Sequence, residues 1–439
     1  MTEVIPFRGL LYDPGRVAME DVIAPPYDII TPERQDALYL KSPFNIARVE
    51  CGKEFTDDTD MCNKYFRASE SLKDWLKDGV IKFEERPAFY LYETDYSIEG
   101  KQMVMRGIFA AVRLVPHGDG IYPHEMTRAK PKLDRLNLMR ACCANISPIF
   151  AIYNDPAKEL NQLYHNILNS KPYFEFNDDD LIRHKCWIIN DPHSVAAISA
   201  NLSGNDFFIA DGHHRYETAL EYQRIMREEC QLKSGHTGTQ RKDYDYVLML
   251  LVNTADGGLT ILPTHRLINY LPQGPHKDPP KSPIIKDPIE ILRGQFNVEY
   301  INKPALQRAN PTTARYAITE AISGQLNTFG LYLHGLEGFY VLRYNGGQLH
   351  GLEGTDVVLL HNVVFKQLFG VNDFGYEMDV AKTIDMVRDG QFQAAFILNP
   401  TMVEDIELSA QTGVKMPPKS TYFYPKIPTG LVINYLQDL

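Results

Sequence analysis

Long hydrophobic runs are missing from this chain of 439 residues. No stretch approaches ~18 uninterrupted apolar residues, so the sequence predicts no membrane span. A basic excess is missing as well: 45 Lys and Arg stand against 56 Asp and Glu, for a formal charge of −11. That balance excludes general nucleic-acid binding through overall charge and leaves room only for local basic patches. Cysteine is scarce and unpatterned. Cys51, Cys62, Cys142, Cys143, Cys186 and Cys230 contain no CxxC spacing, and the adjacent Cys142-Cys143 suits neither a zinc knuckle nor a usual disulfide. Reduced thiols in a cytosolic protein are the simplest expectation. Met1-Thr2-Glu3-Val4-Ile5-Pro6 lacks a basic region followed by an apolar run, and the expected localisation is cytoplasmic. Walker and GxGxxG spacings are missing, which removes the P-loop and the Rossmann fingerprint. No internal repeat or low-complexity tract appears.

What is present reads as a soluble α+β protein, 44% apolar and 23% charged, long enough for two cores. Residues 271–288 hold six prolines and three lysines and little that packs, which marks a linker. The expected division is a phosphate- or nucleotide-binding domain over 1–270, the linker 271–288, and a second α+β domain over 289–439. The tail of that second domain is a candidate to return to the site.

The densest chemistry lies at Phe207-Phe208-Ile209-Ala210-Asp211-Gly212-His213-His214-Arg215-Tyr216. An apolar strand, a sharp turn at Gly212 and a helix opening on His213, His214 and Arg215 are predicted. Amides in the first turn of a helix have no intrahelical partner, and with the helix dipole and Arg215 they suit a phosphate or carboxylate. Successive helical residues point about 100° apart, so His213 and His214 do not converge on one metal ion, and no metal ligands are assigned. The bland alternative is a helix start with an ordinary surface ion pair.

Other stretches supply partners. Ala24-Pro25-Pro26-Tyr27-Asp28 holds Tyr27 and Asp28 in a rigid segment, either as a turn and cap or as part of a site. Thr31-Pro32 predicts a helix start. His124-Glu125 precedes a helix with Leu133, Leu136 and Met139 on one face. That helix gathers Arg128, Lys130, Lys132, Arg135 and Arg140 within 13 residues. A solvated helix face accounts for such a run, and so does a phosphate site beside acid/base groups. Asp256-Gly257-Gly258-Leu259 predicts a hairpin returning to His265-Arg266. Lys415 to Lys426 carries three lysines, with Lys419-Ser420 after two prolines, and is either a surface tail or a closure over an anion.

Taken together, Asp211 to Leu220, His124-Glu125-x-Thr127, Lys132-x-Asp134-Arg135-Leu136, Pro263-Thr264-His265-Arg266 and Pro418-Lys419-Ser420-Thr421 resemble the domain-of-unknown-function 1015 family over nearly the whole chain. Locally, Asp-Gly-His-His-Arg at a strand-to-helix junction is similar to the ParB/sulfiredoxin superfamily of nucleotide-binding domains. That second resemblance implies a ParB/sulfiredoxin-like core of mixed sheet and packed helices in the N-terminal part. It also implies nucleotide phosphates at Gly212, His213, His214 and Arg215, with Asp211 near the reacting group.

The function expected is a kinase-like phosphotransferase using ATP or ADP with Mg²⁺ on a small hydroxyl-bearing molecule. Glu125 or Asp211 is the base, and Lys132, Arg135, His265, Arg266, Lys419 and Ser420 are added binding residues. The alternatives are a ParB-type nucleotide switch without turnover and a hydrolase using His124 and Glu125. The partners expected are a nucleotide and a small molecule, with no general nucleic acid and no membrane.

Overall fold

A computed structural model describes residues 2–98, 100–234, 241–269, 287–302 and 311–436. It divides into two compact units. The first holds residues 1–123, 127–260 and 425–439, and the second holds 124–126 and 261–424. The division thus falls after Thr260, ahead of the residue 270 expected, and the chain's last stretch belongs to the first unit. Residues 271–286 of the expected linker lie outside the described residues.

The first unit is built on a nine-stranded mixed sheet. Its strands run in the order Ile121–Tyr122, Phe207–Asp211, Ile149–Tyr153, Tyr246–Asn253, Lys101–Arg113, Phe89–Ile98, Arg183–Ile189 and Phe174–Asn177, with Val4–Ile5 added against Lys101–Arg113. Tyr246–Asn253 is buried at every position because it lies between two other strands. That explains its continuous apolar run. Phe89–Ile98 and Lys101–Arg113 pair antiparallel as a long hairpin.

The predicted hairpin at Asp256-Gly257 does not form. Both edges of Tyr246–Asn253 are already taken, by Lys101–Arg113 and by Ile149–Tyr153. Gly258 packs instead on the backbone at Val104, where a Cβ would stand 1.8 Å from the carbonyl oxygen.

A smaller four-stranded sheet joins Ile81–Phe83, Gly9–Tyr12, Ile433–Tyr435 and Ala144–Asn145. It brings the two ends of the sequence together in this unit. The helix Pro32–Lys41 starts as predicted, with Thr31 Oγ1 accepting from Arg34 N at 3.3 Å.

The helix Ala129–Cys142 keeps Leu136 and Met139 of its predicted face against the core and departs from it at Leu133. Leu133 is exposed, while Arg135, Leu138, Met139 and Cys142 are buried. The inner side thus carries an ion-paired arginine beside its apolar residues.

The second unit carries a six-stranded sheet in the order Phe296–Ile301, Phe339–Tyr344, Thr328–Leu333, Ala394–Ile397, His265–Ile268 and Gly375–Glu377. Side chains alternate between two cores. Leu331 and Phe396 pack on one face, and Tyr332, Ala395 and Ile397 on the other. Period-two alternation with both faces apolar requires helices on each side. Asp356–Leu359 with Leu360–Phe369, and Val380–Arg388, supply them. All six cysteines are free. Among the described residues no helix is long and apolar enough to cross a membrane.

Candidate phosphate site at a strand-to-helix junction

Phe207–Asp211 enters the sheet as a buried strand, and its register against Ile149–Tyr153 shifts between Ile209 and Asp211. This bulge turns the last residue out of the apolar alternation. Gly212 follows with φ +98°, and the helix His213–Ser234 begins at once. A Cβ on Gly212 would lie 3.0–3.2 Å from the Arg215 guanidinium, which folds back over the turn. Glycine is therefore required twice, by the backbone angle and by the space. The first helical bond runs from Tyr216 N to Gly212 O at 3.0 Å. The amides of His213, His214 and Arg215 thus stand outside the helical ladder, at the positive end of a 22-residue helix.

Two cations converge on the strand end. Arg215 Nη2 donates to Asp211 Oδ2 at 2.5 Å, and Lys426 Nζ, 215 residues away in sequence, donates to Asp211 Oδ1 at 3.1 Å. A second arm of Arg215 donates to the Pro148 carbonyl. Burial pushes the Asp211 carboxyl up, but Lys426 and then Arg215 more than offset it and hold it well below the usual carboxylate range. Asp211 is thus a fixed negative charge between two cations, and the trio keeps one positive charge in excess.

The histidines differ from each other. His213 is buried. His214 is half-buried, and its Nε2 accepts from Arg128 N at 2.9 Å. Burial lowers its pKa against an opposing pull from Glu217 and Asp28. A neutral ring with the proton on Nδ1 satisfies that arrangement.

Two of the predicted basic residues are taken up by carboxylates. Arg135 is buried among Glu50 at 3.1 Å, Asp134 at 2.5 Å and the Tyr27 ring, whose centre lies 4.2 Å from its guanidinium carbon. Burial pulls its pKa down, and Glu50 and Asp134 outweigh that and hold it above the ordinary value. Ser147 donates to the same Glu50 oxygen at 2.5 Å, and Lys64 pairs with Asp134 at 2.7 Å. Lys132 pairs with Glu217 at 2.8 Å, where Thr127 also donates at 2.6 Å.

Burial pushes the Tyr27 phenol up to about 12, with Arg215 and Arg135 the leading opposing charges. Tyr27 therefore stays protonated beside both arginines. Asp28, next to it on the turn Tyr27–Ile29, is exposed, and its charge reaches His214.

The remaining predicted residues fall in the second unit and form a different arrangement. Arg266 is fully buried, stacks 4.8 Å from the centre of the Tyr376 ring, and donates to the carbonyls of Thr264, Pro418 and Lys419 and to His361 Nε2. Burial lowers its pKa to about 10, against Tyr376 and Glu125. Its donors are spent on clasping the turn at Pro418-Lys419. Ser420 donates to the Pro417 carbonyl and its own carbonyl accepts from Thr401. His124 is fully buried and meets Thr421 Oγ1 at 3.0 Å, while its carbonyl accepts from Met416 N. His265 is buried, its Nδ1 accepting from Leu398 N at 3.2 Å.

The junction thus collects Asp211, Gly212, His213, His214 and Arg215. It adds Lys426 and Tyr27, which the motif spacing does not point to. The Pro25-Pro26 pair is a signal for Tyr27, and Lys426 has none.

No curated protein matches the chain. Among solved structures it is similar to free serine kinase in complex with AMP (13% identity, TM-score 0.32, covering 72% of this chain and 86% of that one). A second is a conserved hypothetical protein from Pyrococcus furiosus (14%, 0.33, 74% and 93%). A third is SbnI with a C-terminal truncation from Staphylococcus aureus (10%, 0.35, 73% and 85%). No residue role is carried over from any of the three. The family described as "Protein of unknown function (DUF1015)" matches residues 4–357, and the chain belongs to it.

Proposed function

We propose that the junction at Asp211-Gly212-His213 binds the phosphates of a nucleotide, ATP or ADP, and that the protein transfers a phosphoryl group to a small hydroxyl-bearing molecule. One observation carries this reading: Arg215, in the middle of the sequence, and Lys426, near its end, are drawn to one strand end in front of a long helix's amides. Fixed donors and cations of that kind stabilise charge on a transferring phosphoryl group without reorganising. The motif's resemblance to the ParB/sulfiredoxin superfamily favours a nucleotide over a simple anion.

The roles follow from the contacts. Gly212, His213, His214 and Arg215 surround the phosphates with Lys426, and Lys132 and Arg135 shape the wall through Glu217 and Tyr27. Asp211 is held ionised by its two cations, so it orders them and is a poor proton acceptor. Asp28 is exposed beside His214 and suits the base for the acceptor hydroxyl. Mg²⁺ would enter with the nucleotide, held by phosphate oxygens, water and at most a carboxylate or two, and Asp28 fits there as well. The hydrolase alternative is less favoured, because His124 is fully buried and bonded to Thr421.

The test is calorimetric titration with ATP, ADP, CTP, GTP and pyrophosphate, with and without Mg²⁺, followed by product analysis with serine and other hydroxyl compounds. Binding of none of them would sink the proposal. Binding without product leaves the nucleotide switch as the function. Arg215→Ala should weaken nucleotide binding at least tenfold, the loss of a charge-assisted contact of about 1.5–3 kcal/mol. Asp28→Asn should leave binding within a few-fold and abolish turnover. Glu125→Gln tests the second unit's carboxylate in the same assay.

A further inference from the structure

A second concavity in the first unit shares no residue with the junction. Its volume is ≈ 330 Å³, within the range of small-molecule sites. It lies where the chain crosses from the large sheet to the small one: Ile5 is registered against Ala111, Phe7 bridges to Ala88, and Gly9 opens the next strand. Four aromatic side chains, Phe7, Phe83, Tyr246 and Tyr435, line it. Phe83 and Tyr435 meet edge to face at 5.7 Å, and the Tyr246 hydroxyl is fixed by donating to Glu3 Oε2 at 3.0 Å. These walls are set by packing and bonding, so they offer a preformed slot for a flat ring.

Arg8 and Asp243 are the charged residues in the lining, with Asn434 of the strand Ile433–Tyr435 as a further polar group. Arg8 Nε donates to the Glu84 carbonyl at 3.0 Å, and its guanidinium carbon lies 5.7 Å from the centre of the Phe83 ring. Among the described residues it makes no ion pair with a carboxylate. A guanidinium has five donors, and the two terminal nitrogens match a carboxylate. The Asp243 carboxylate in the same lining repels a phosphate dianion and favours an ammonium or amine. Aromatic walls, one cation and one anion match a small ring compound that carries both a carboxylate and an amino group.

We propose that this pocket binds a small aromatic amino acid or aminoaryl carboxylate. The ring lies among Phe83, Tyr246 and Tyr435, the carboxylate accepts from Arg8, and the amino group donates to Asp243. The site is independent of the junction and does not rest on the phosphate reading.

The test is calorimetric titration of the full chain with L-phenylalanine, L-tryptophan and 4-aminobenzoate, with L-phenylalaninamide as the probe lacking a carboxylate. The expected result is saturable one-to-one binding of at least one carboxylate probe. Arg8→Met should weaken that probe tenfold or more and leave the amide's affinity within threefold, and Asp243→Asn should weaken both. Arg8 is exposed, so its variant is expected to keep the wild-type thermal midpoint, and Asp243→Asn provides an independent reading. No binding of any probe at millimolar concentration, or binding that Arg8→Met changes by less than tenfold, overturns the proposal.

Discussion

Gly212 is where the backbone of the junction has least latitude. Its φ of +98° and the guanidinium 3.0–3.2 Å from a built Cβ act together. Gly212→Ala should cost roughly 1–3 kcal/mol of stability, the range for a side chain forced into a sparsely populated backbone region. It should also displace Arg215 and weaken nucleotide binding. Urea unfolding and calorimetric titration read the two effects, and an alanine variant as stable as wild type would contradict the geometry. Asp211 and Gly212 are legible in the sequence because the Asp-Gly pair stands between an apolar strand and a helix-forming run that opens on His213, His214 and Arg215. Lys426 is not, because nothing local in Tyr424-Pro425-Lys426 indicates an ion pair with a residue 215 positions earlier.

At the scale of elements, the helix Ala129–Cys142 shows how a buried charge can share the inner side with apolar residues. Arg135 lies inside with Glu50, Asp134 and the Tyr27 ring, and Leu133 faces water. Removing one partner of a buried pair leaves the other uncompensated. Arg135→Ala should therefore cost roughly 3–5 kcal/mol. The double variant Arg135→Met with Glu50→Gln should recover part of that, because Ser147 still donates to the residue at position 50. Chemical denaturation of the two variants decides it, and equal losses would mean that Glu50 is not the stranded partner. Periodicity predicted this helix and two of its three inward residues, Leu136 and Met139, but misplaced Leu133 and did not register a neutralised arginine as buried. The same kind of limit applies to Asp256-Gly257, where turn chemistry is correct but both edges of the neighbouring strand are already occupied.

Across the whole molecule, pH should act on the second unit through Asp356. Burial raises its carboxyl to about 6, while bonds from Asn399 and the Asn327 amide pull the other way. The folded-state value lies above the unfolded one. Its contribution is therefore fully present below about pH 4 and is lost as pH rises through about 6. Thermal unfolding of this unit should show a stability decline over that window, and Asp356→Asn should remove that part of the slope. An unchanged slope in the variant would assign the titration to another group.

By itself the sequence determined the local elements and the family. The α+β class, the Thr31-Pro32 helix start, the motif strand, its glycine turn and the following helix follow from residue-by-residue sterics and periodicity. Only the tertiary structure decided which charges meet. Within the second unit it set Arg266 to clasp the turn at Pro418-Lys419 and His124 to meet Thr421. It joined Lys426 to Asp211 and hid Arg135 against Tyr27. Backbone preference acts over a few residues and is written in each of them. Ion pairing acts over a few ångströms of space, and no spacing along the chain records which residues folding will bring that close.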